Sequence, residues 1–214
     1  MSPRWPALAL ALLAAGSVHA SAQEAWRFRV LLDGDEIGRH VFEAREFEAR
    51  DGGASRELVS QAEFRVRLLF FDAFRYDHRA TERWRGDCLE SMSARTRQNS
   101  RVETVEAARD GEALLVRTPR GEQRLRGCVR SFAYWNPDIL RGGALLNAQT
   151  GESVSVSVTP LGRETLNVRG RPESTRRYRL SGPDIAIDLW YDGAGDWVAL
   201  ESRVRGRVLR YEIL

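Results

Sequence analysis

One stretch of this sequence carries the residue types from which acid–base chemistry is built. Between positions 74 and 85 polar or charged residues occupy the odd positions, and His78 and Glu82 lie among the even ones. Residues four apart share a strand face but are too far apart for a direct hydrogen bond. The pair could still act as acid and base if burial shifted their pKa values. The alternative is structural: a satisfied His78, and a Glu82 paired with an inward arginine of the next strand.

Aromatic side chains surround this pair and define a candidate binding face. One group lies at even positions of the same stretch, and a second group lies about fifty residues later. Such side chains could line an apolar ligand cavity, or they could simply cap the core at one end of a sheet. The candidate ligand-binding residues are Phe74, Tyr76, His78, Glu82, Trp84, Phe132, Tyr134, Trp135 and Asn136.

Other site chemistries find little support in the sequence. A zinc site needs three or four converging ligands, and His40 and His78 are the only histidines beyond the N-terminal twenty residues. No serine lies in a G-x-S-x-G motif. Gly142 and Gly143 follow a helix rather than precede one, which is the wrong end for binding a phosphate. We therefore predict no metal and no cofactor. His78 and Glu82 are the catalytic candidates if the protein is an enzyme.

A short helical insert near 136–142 interrupts a chain that is otherwise strand-like. Asn136 suits the N-cap, Pro137 the first helical position and Asp138 the positive end of the helix dipole. Arg141 suits the last turn, and Gly142 ends the helix.

The N-terminus predicts export. Arg4 precedes an apolar run at 7–15, and small residues follow, so residues 1–20 are expected to be a signal peptide cleaved near 20 or 22. The run is too short to span a membrane, and no later run is long enough. We expect a periplasmic protein with one β domain at 23–214, which does not span the membrane after cleavage.

The cysteines and the charge balance indicate what kind of exported protein this is. In an exported chain Cys88 and Cys128 are most simply one disulfide. Closing a loop of about 41 residues would contribute roughly 4 kcal/mol. The formal charge is +3, and it becomes +2 when Arg4 is removed with the signal peptide. A nearly balanced chain whose arginines alternate with acidic residues predicts solvated sheet faces and no nucleic-acid partner.

Alternating hydrophobicity and frequent tight turns predict the fold. About a dozen strands follow one another in mostly consecutive hairpins, and no internal repeat or linker divides them. Such a meander curls to avoid exposed edges. We predict an all-β fold, a strongly curved antiparallel meander sheet or open β-barrel, with the stretch 134–149 against its mouth or concave face. The strand ending at Leu214 is a candidate edge strand.

Three segments carry a family resemblance: FRYDHRATERWRGDCLESMSARTRQN at 74–99, CVRSFAYWNPDILRGGALLNAQTGE at 128–152 and IDLWYDGAGDWVALESRVRGRVLRYEIL at 187–214. They resemble an exported bacterial family, domain of unknown function number 6134, with a more distant similarity to number 3108. The resemblance implies an exported, curved antiparallel sheet and a weak link to membrane-lipid metabolism. It carries no catalytic residue.

Three classes of function remain open from the sequence. The first is a non-catalytic periplasmic protein that binds a lipid or other apolar ligand inside the sheet. The second is a small hydrolase or lipid-modifying accessory enzyme that uses His78 and Glu82. The third is an envelope assembly or scaffold factor, whose protein partner is unknown, docking through an exposed strand edge.

Overall fold

In the part of the chain that the structure describes, the fold consists of fifteen β-strands and one short helix. The structure is a computed structural model that describes residues 23–48, 54–68, 71–204 and 206–214. The strands are β1 (Gln23–Leu32), β2 (Asp35–Glu48), β3 (Ala54–Leu68), β4 (Phe71–Arg85), β5 (Cys88–Gln98), β6 (Arg101–Asp110), β7 (Ala113–Thr118), β8 (Gly121–Arg126), β9 (Arg130–Ser131), β10 (Gly143–Leu146), β11 (Ser153–Val168), β12 (Arg171–Gly182), β13 (Ile185–Tyr191), β14 (Trp197–Val204) and β15 (Arg207–Ile213).

All fifteen strands form one curved sheet in the order β8-β7-β6-β5-β4-β3-β2-β1-β15-β14-β13-β12-β11-β10-β9. Strands that are consecutive in the chain pair with each other, except β8 and β9, and one further pairing, β1 with β15, joins the first strand to the last. The predicted all-β curved antiparallel fold is therefore confirmed. The prediction missed two short strands, β9 and β10, which pair in parallel.

The strand ending at Leu214 is not an edge strand, so that expectation is wrong. β15 lies between β1 and β14 and is paired on both sides. The described edges are β8 and β9 instead. A docking role that depends on an exposed C-terminal strand therefore loses its structural basis.

The alternation within β4 gives the sheet its inner and outer faces. Ala80, Glu82 and Trp84 are buried on the even face, whereas Arg75, Arg79 and Arg83 are exposed on the odd face. Successive side chains of a strand point to opposite sides, so a period of two sorts them in this way. Across the sheet the inner face packs its aromatic core around Trp197, whose ring centroid lies 4.2 Å from that of Phe28.

The predicted helical insert is a 3₁₀ helix at Pro137–Arg141. The Asn136 side chain caps it by accepting a hydrogen bond from the Asp138 amide at 3.0 Å, and Gly142 ends it with a positive φ of 66°. Arg130 donates to the carbonyl oxygens of Asp138 and Gly142, which fixes the helix against β9. The segment 130–149 thus lies against the inner face of the sheet as a defined element.

The disulfide between Cys88 and Cys128 is present, with Cα atoms 4.9 Å apart. It ties the start of β5 to the segment that leads into β9. The predicted signal peptide at 1–20 and its cleavage position lie outside the described residues, so both stay predictions. Of the segments that the structure describes, none is a helix with the length and apolarity that a membrane crossing requires.

Candidate functional site

A cavity of about 300 Å³ lies between the inner face of the sheet and the segment 130–149. Its walls are mainly apolar, with side chains from β2–β4 on one side and from β13–β15 on the other. Six of the nine predicted ligand-binding residues line it: Tyr76, His78, Glu82, Phe132, Tyr134 and Trp135. The other three lie outside the lining, and one of these, Asn136, serves as the helix cap.

His78 is held by its neighbour on β5. It lies directly opposite Thr96 in the β4–β5 register, and its Nδ1 is 2.8 Å from the Thr96 hydroxyl oxygen. Burial lowers the pKa of His78 to about 4, because the charged imidazolium loses its hydration there. At neutral pH the ring is therefore uncharged.

Glu82 is a buried carboxyl group with neutral hydrogen-bond donors. Trp84 Nε1 donates to it at 3.0 Å, and the Ser131 hydroxyl lies 3.2 Å from both carboxyl oxygens. The expected pairing with an inward arginine is wrong within the described residues, since Glu82 faces Leu58 and Met92 on its two neighbouring strands. Burial raises the pKa of Glu82 to about 7, although both hydrogen bonds act to lower it.

His78 and Glu82 therefore line one cavity without forming an acid–base pair. Each is bonded to a different partner: Thr96 for the histidine, and Trp84 with Ser131 for the carboxyl group. The four-residue spacing along β4 keeps the two side chains apart, as the sequence indicated. His78 thus has the hydrogen-bond partner that the structural alternative expected, whereas Glu82 has neutral donors in place of the expected arginine.

The cavity holds a second polar group, centred on His40, that the sequence did not predict. His40 Nε2 lies 2.7 Å from the Ser60 hydroxyl oxygen, and His40 Nδ1 lies 3.3 Å from the Tyr211 hydroxyl oxygen. Burial, and then the nearby His78, lower the pKa of His40 well below its usual range. The alternation in β2 already places His40 on the face of Phe42 and Ala44. Its partners, however, are 20 and 171 residues away.

Three tyrosines complete the polar lining. Tyr76, Tyr134 and Tyr211 all line the cavity, and burial raises the pKa of each phenol. Charge repulsion by Tyr134 also raises the pKa of Tyr76, and repulsion by Tyr76 and Tyr134 raises that of Tyr211. All three hydroxyls are protonated at neutral pH and can donate hydrogen bonds.

Trp135 is the link between the cavity and the core. Its ring packs perpendicular to that of Trp84, with centroids 5.7 Å apart, and the Arg56 guanidinium lies 5.0 Å above its centre. Its indole Nε1 is buried without a hydrogen-bond partner among the described residues. A buried donor of this kind carries an unrecovered desolvation cost.

The outer face of the sheet offers a larger but different concavity. About 610 Å³ of open space lies over β3–β5, lined mainly by exposed arginines, with acidic residues among them. Most of this lining is the solvated charged face that the alternation predicted, but the buried His78 contributes to it as well as to the inner cavity. His40 and Glu82 line the inner cavity. Within the described residues no group of three or more His, Cys, Asp or Glu side chains is arranged to hold a metal ion.

The fold and the site define a class: a curved antiparallel sheet that encloses a small, mainly apolar cavity lined by several hydroxyl and imidazole groups and one buried carboxyl group. The chain belongs to the family described as "Domain of unknown function (DUF6134)", whose model matches residues 28–214. The similarity to family number 3108 stays a prediction.

The fold itself is shared with a solved structure. The chain is similar to the protein titled "Crystal Structure of Beta-barrel-like Protein of Domain of Unknown Function DUF1849 from Brucella abortus", with a TM-score of 0.62 and 10% identity. The match covers 89% of this chain and 94% of that one. At this identity the likeness shows the fold alone. No curated protein matches the chain.

Proposed function

We propose that this is a non-catalytic periplasmic protein that holds a lipid or another apolar ligand inside its curved sheet. The observation that carries the proposal is the 300 Å³ cavity on the inner face, closed on one side by the segment 130–149. Ligand sites in proteins are typically concave, mainly apolar and about 300–1,000 Å³ in volume, with a few polar groups that fix orientation. This cavity meets that description at the lower end of the size range.

Burial of an apolar chain in the cavity would supply part of the binding free energy. Each buried methylene contributes about 0.8 kcal/mol, so a chain of six would contribute about 5 kcal/mol before the cost of association. Micromolar binding needs about 8 kcal/mol. Polar contacts must therefore add to the apolar contribution, which agrees with a lining that holds several hydroxyl and imidazole groups.

Export is part of the proposal. The N-terminal apolar run after Arg4 and the disulfide Cys88–Cys128 both support an oxidising compartment outside the cytoplasm. N-terminal sequencing of the protein from the periplasmic fraction should give Ser21 or Gln23 as the first residue. A full-length protein in the cytoplasmic fraction would contradict this part.

Native mass spectrometry of protein purified from its own cell envelope tests the binding, and denaturing release identifies the ligand. A matched pair of variants locates it. Ala148 lines the cavity in the segment 130–149, whereas Ala194 is exposed in the turn between β13 and β14. Ala148→Trp should displace the bound ligand and abolish binding of an uncharged apolar dye, and Ala194→Trp should do neither. An empty wild-type protein that binds no dye would sink the proposal.

A hydrolase is the second candidate, and one observation favours it. Ser60 Oγ lies 2.7 Å from His40 Nε2 while Tyr211 contacts the other ring nitrogen, which is the arrangement of a nucleophile, a base and an orienting group. The strands around Ser60, however, offer no backbone amide that could form an oxyanion hole. Ser60 lies in the middle of β3 with β2 and β4 paired on both sides. The amides of these strands are engaged in the ladders, so none is free to stabilise an oxyanion.

Ester turnover separates the two candidates. With a panel of p-nitrophenyl esters we expect no turnover above buffer for the wild type. Hydrolysis that Ser60→Ala and His78→Ala both leave unchanged would be adventitious. Hydrolysis lost in Ser60→Ala, with folding retained, would instead establish the hydrolase at Ser60 and His40. Loss confined to His78→Ala would assign it to His78 and Glu82.

A further inference from the structure

Apart from Glu82, the polar groups of the cavity have a common property: they are uncharged hydrogen-bonding groups. The described lining contains no arginine and no aspartate, and its titratable residues besides the tyrosines are His40, His78 and Glu82. Both histidines are neutral at physiological pH, since burial lowers their pKa values. The cationic Arg56 is not among the lining residues: it lies over the ring of Trp135 and forms ion pairs with Glu46 and Glu24.

Two phenols in this lining have unused hydrogen-bonding capacity. Tyr211 is engaged with His40 at 3.3 Å. Tyr76 and Tyr134 contact neighbouring rings, but the described residues supply no hydrogen-bond partner to their hydroxyl groups. Both residues are half-buried and line the cavity. Polar groups that are withdrawn from bulk water usually find a partner, and an oxygen atom of a bound ligand can supply it.

A charged ligand group does not suit this site. A carboxylate or phosphate moved into the cavity would lose its hydration without gaining a cation, which costs several kcal/mol. Glu82 is also in the lining, and any negative charge it carries would repel an anion. A neutral oxygen loses far less hydration and can accept the phenol hydrogen bonds.

From this geometry we infer that the ligand carries an uncharged oxygen group, such as an ester, a ketone or an alcohol, next to its apolar part. That oxygen accepts hydrogen bonds from Tyr76 and Tyr134. The inference rests on the proposed binding function and specifies its ligand class: neutral amphiphiles are bound, and ionised fatty acids or phospholipid headgroups are excluded from the cavity.

Three ligands with equal chains test the inference: 1-decanol, methyl decanoate and decanoate at pH 8. Each is titrated against protein preloaded with the uncharged dye N-phenyl-1-naphthylamine. The alcohol and the ester should displace the dye at concentrations at least tenfold lower than decanoate. The double variant Tyr76→Phe/Tyr134→Phe should weaken alcohol and ester about threefold to tenfold for each hydroxyl removed.

Tyr178→Phe is the matched control. Tyr178 is half-buried and packs edge-on against Tyr191 outside the cavity lining, so its loss should leave all three titrations unchanged. Thermal melting of every variant checks that the fold persists.

The possible outcomes distinguish failure of the neutral-ligand inference from failure of the proposed binding function. Decanoate that displaces the dye as well as decanol does, or a double variant that binds all three as the wild type does, would overturn the neutral-ligand inference while leaving the binding function in place. A wild-type protein that binds neither the dye nor any of the three added ligands would overturn both the neutral-ligand inference and the binding function.

Discussion

At the scale of one residue, burial of Glu82 beside the cavity lowers the stability of the folded protein. The carboxyl group is buried, and its donors Trp84 and Ser131 are neutral, so the carboxylate form lacks a compensating charge. Its pKa rises to about 7 in the folded state from an ordinary value of 4.5. Each unit corresponds to about 1.4 kcal/mol, so ionised Glu82 lowers the free energy of unfolding by about 3 kcal/mol.

Glu82→Gln should therefore change how stability depends on pH. Between pH 4.5 and 7 the folded state holds the Glu82 proton and the unfolded state does not, so wild-type stability falls as the pH rises through this window. At pH 8 the variant should be more stable by up to about 3 kcal/mol, and near pH 4.5 the difference should vanish. Urea unfolding at both pH values measures this.

A surface substitution serves as the control for that experiment. Glu106 is exposed and accepts a hydrogen bond from Ser93, and Glu106→Gln should leave the pH profile of the wild type unchanged. An equal stability difference between wild type and Glu82→Gln at pH 4.5 and pH 8 would mean that Glu82 does not titrate in this window.

His78 gives a stability effect of opposite sign. Its folded pKa of about 4 lies below the ordinary 6.5. As the pH falls through that interval the unfolded state binds the proton first, and stability is lost. Gln at position 78 can still form a hydrogen bond with Thr96. His78→Gln should therefore reduce the loss of folding stability between pH 7 and pH 4.5 by about 2 kcal/mol.

Urea unfolding at pH 7 and at pH 4.5 measures this loss in the wild type and in His78→Gln. His40 is present in both proteins and adds its own acid sensitivity, so the variant should keep part of the slope. Identical losses in the two proteins would contradict the assignment to His78.

At the scale of elements, one glycine sets how closely β2 and β3 can approach. Gly38 lies opposite Phe64 in the register, beside the irregularity between Val30 and Leu31 of β1. Its φ is +153°, and a Cβ atom there would lie 1.9 Å from the Glu63 carbonyl oxygen. Real Cβ atoms never come so close to backbone, so only glycine fits without moving the strand.

Gly38→Ala should consequently destabilise the protein by about 3 kcal/mol or more, since the clash adds to the backbone strain. Gly34, in the turn that joins β1 to β2, has a φ of +94° with nothing within 4 Å of a Cβ. Gly34→Ala should cost only about 1 kcal/mol. Chemical denaturation compares the two, and equal losses would show that strand approach is not the limiting factor.

At the scale of the whole molecule, the disulfide ties the cavity-closing segment to the sheet. Cys88 and Cys128 are 40 residues apart in sequence, and the chain between them forms strands β5–β8. A crosslink across a loop of this length restricts the unfolded chain and stabilises the fold by about 4 kcal/mol in the chain-entropy model.

The double variant Cys88→Ser/Cys128→Ser should lose about that amount, measured by urea unfolding without reductant. Dithiothreitol is the control: it should lower wild-type stability to the level of the variant and leave the variant unchanged. A wild type whose two thiols are fully reduced, yet whose stability is unaltered, would contradict the prediction.

Much of the candidate site follows from local patterns. The alternation of β4 identified Tyr76, His78 and Glu82 as inward residues, and the capping residues located the helix. Local patterns did not reveal β9 and β10, because strands of two and four residues are too short to show a period. The neutral environment of Glu82 was also missed, since its Ser131 donor lies 49 residues away.

The sequence by itself determined which residues face inward and where the turns fall, because alternation along a strand and glycines in turns are local features. It also determined the disulfide, because a chain with two cysteines allows a single intramolecular pairing. Only the tertiary structure decided which inward residues meet. Ser60, His40 and Tyr211 lie on β3, β2 and β15, and β15 reaches this neighbourhood only because it pairs with β1. That pairing and the curvature of the sheet are long-range properties, and they create the cavity.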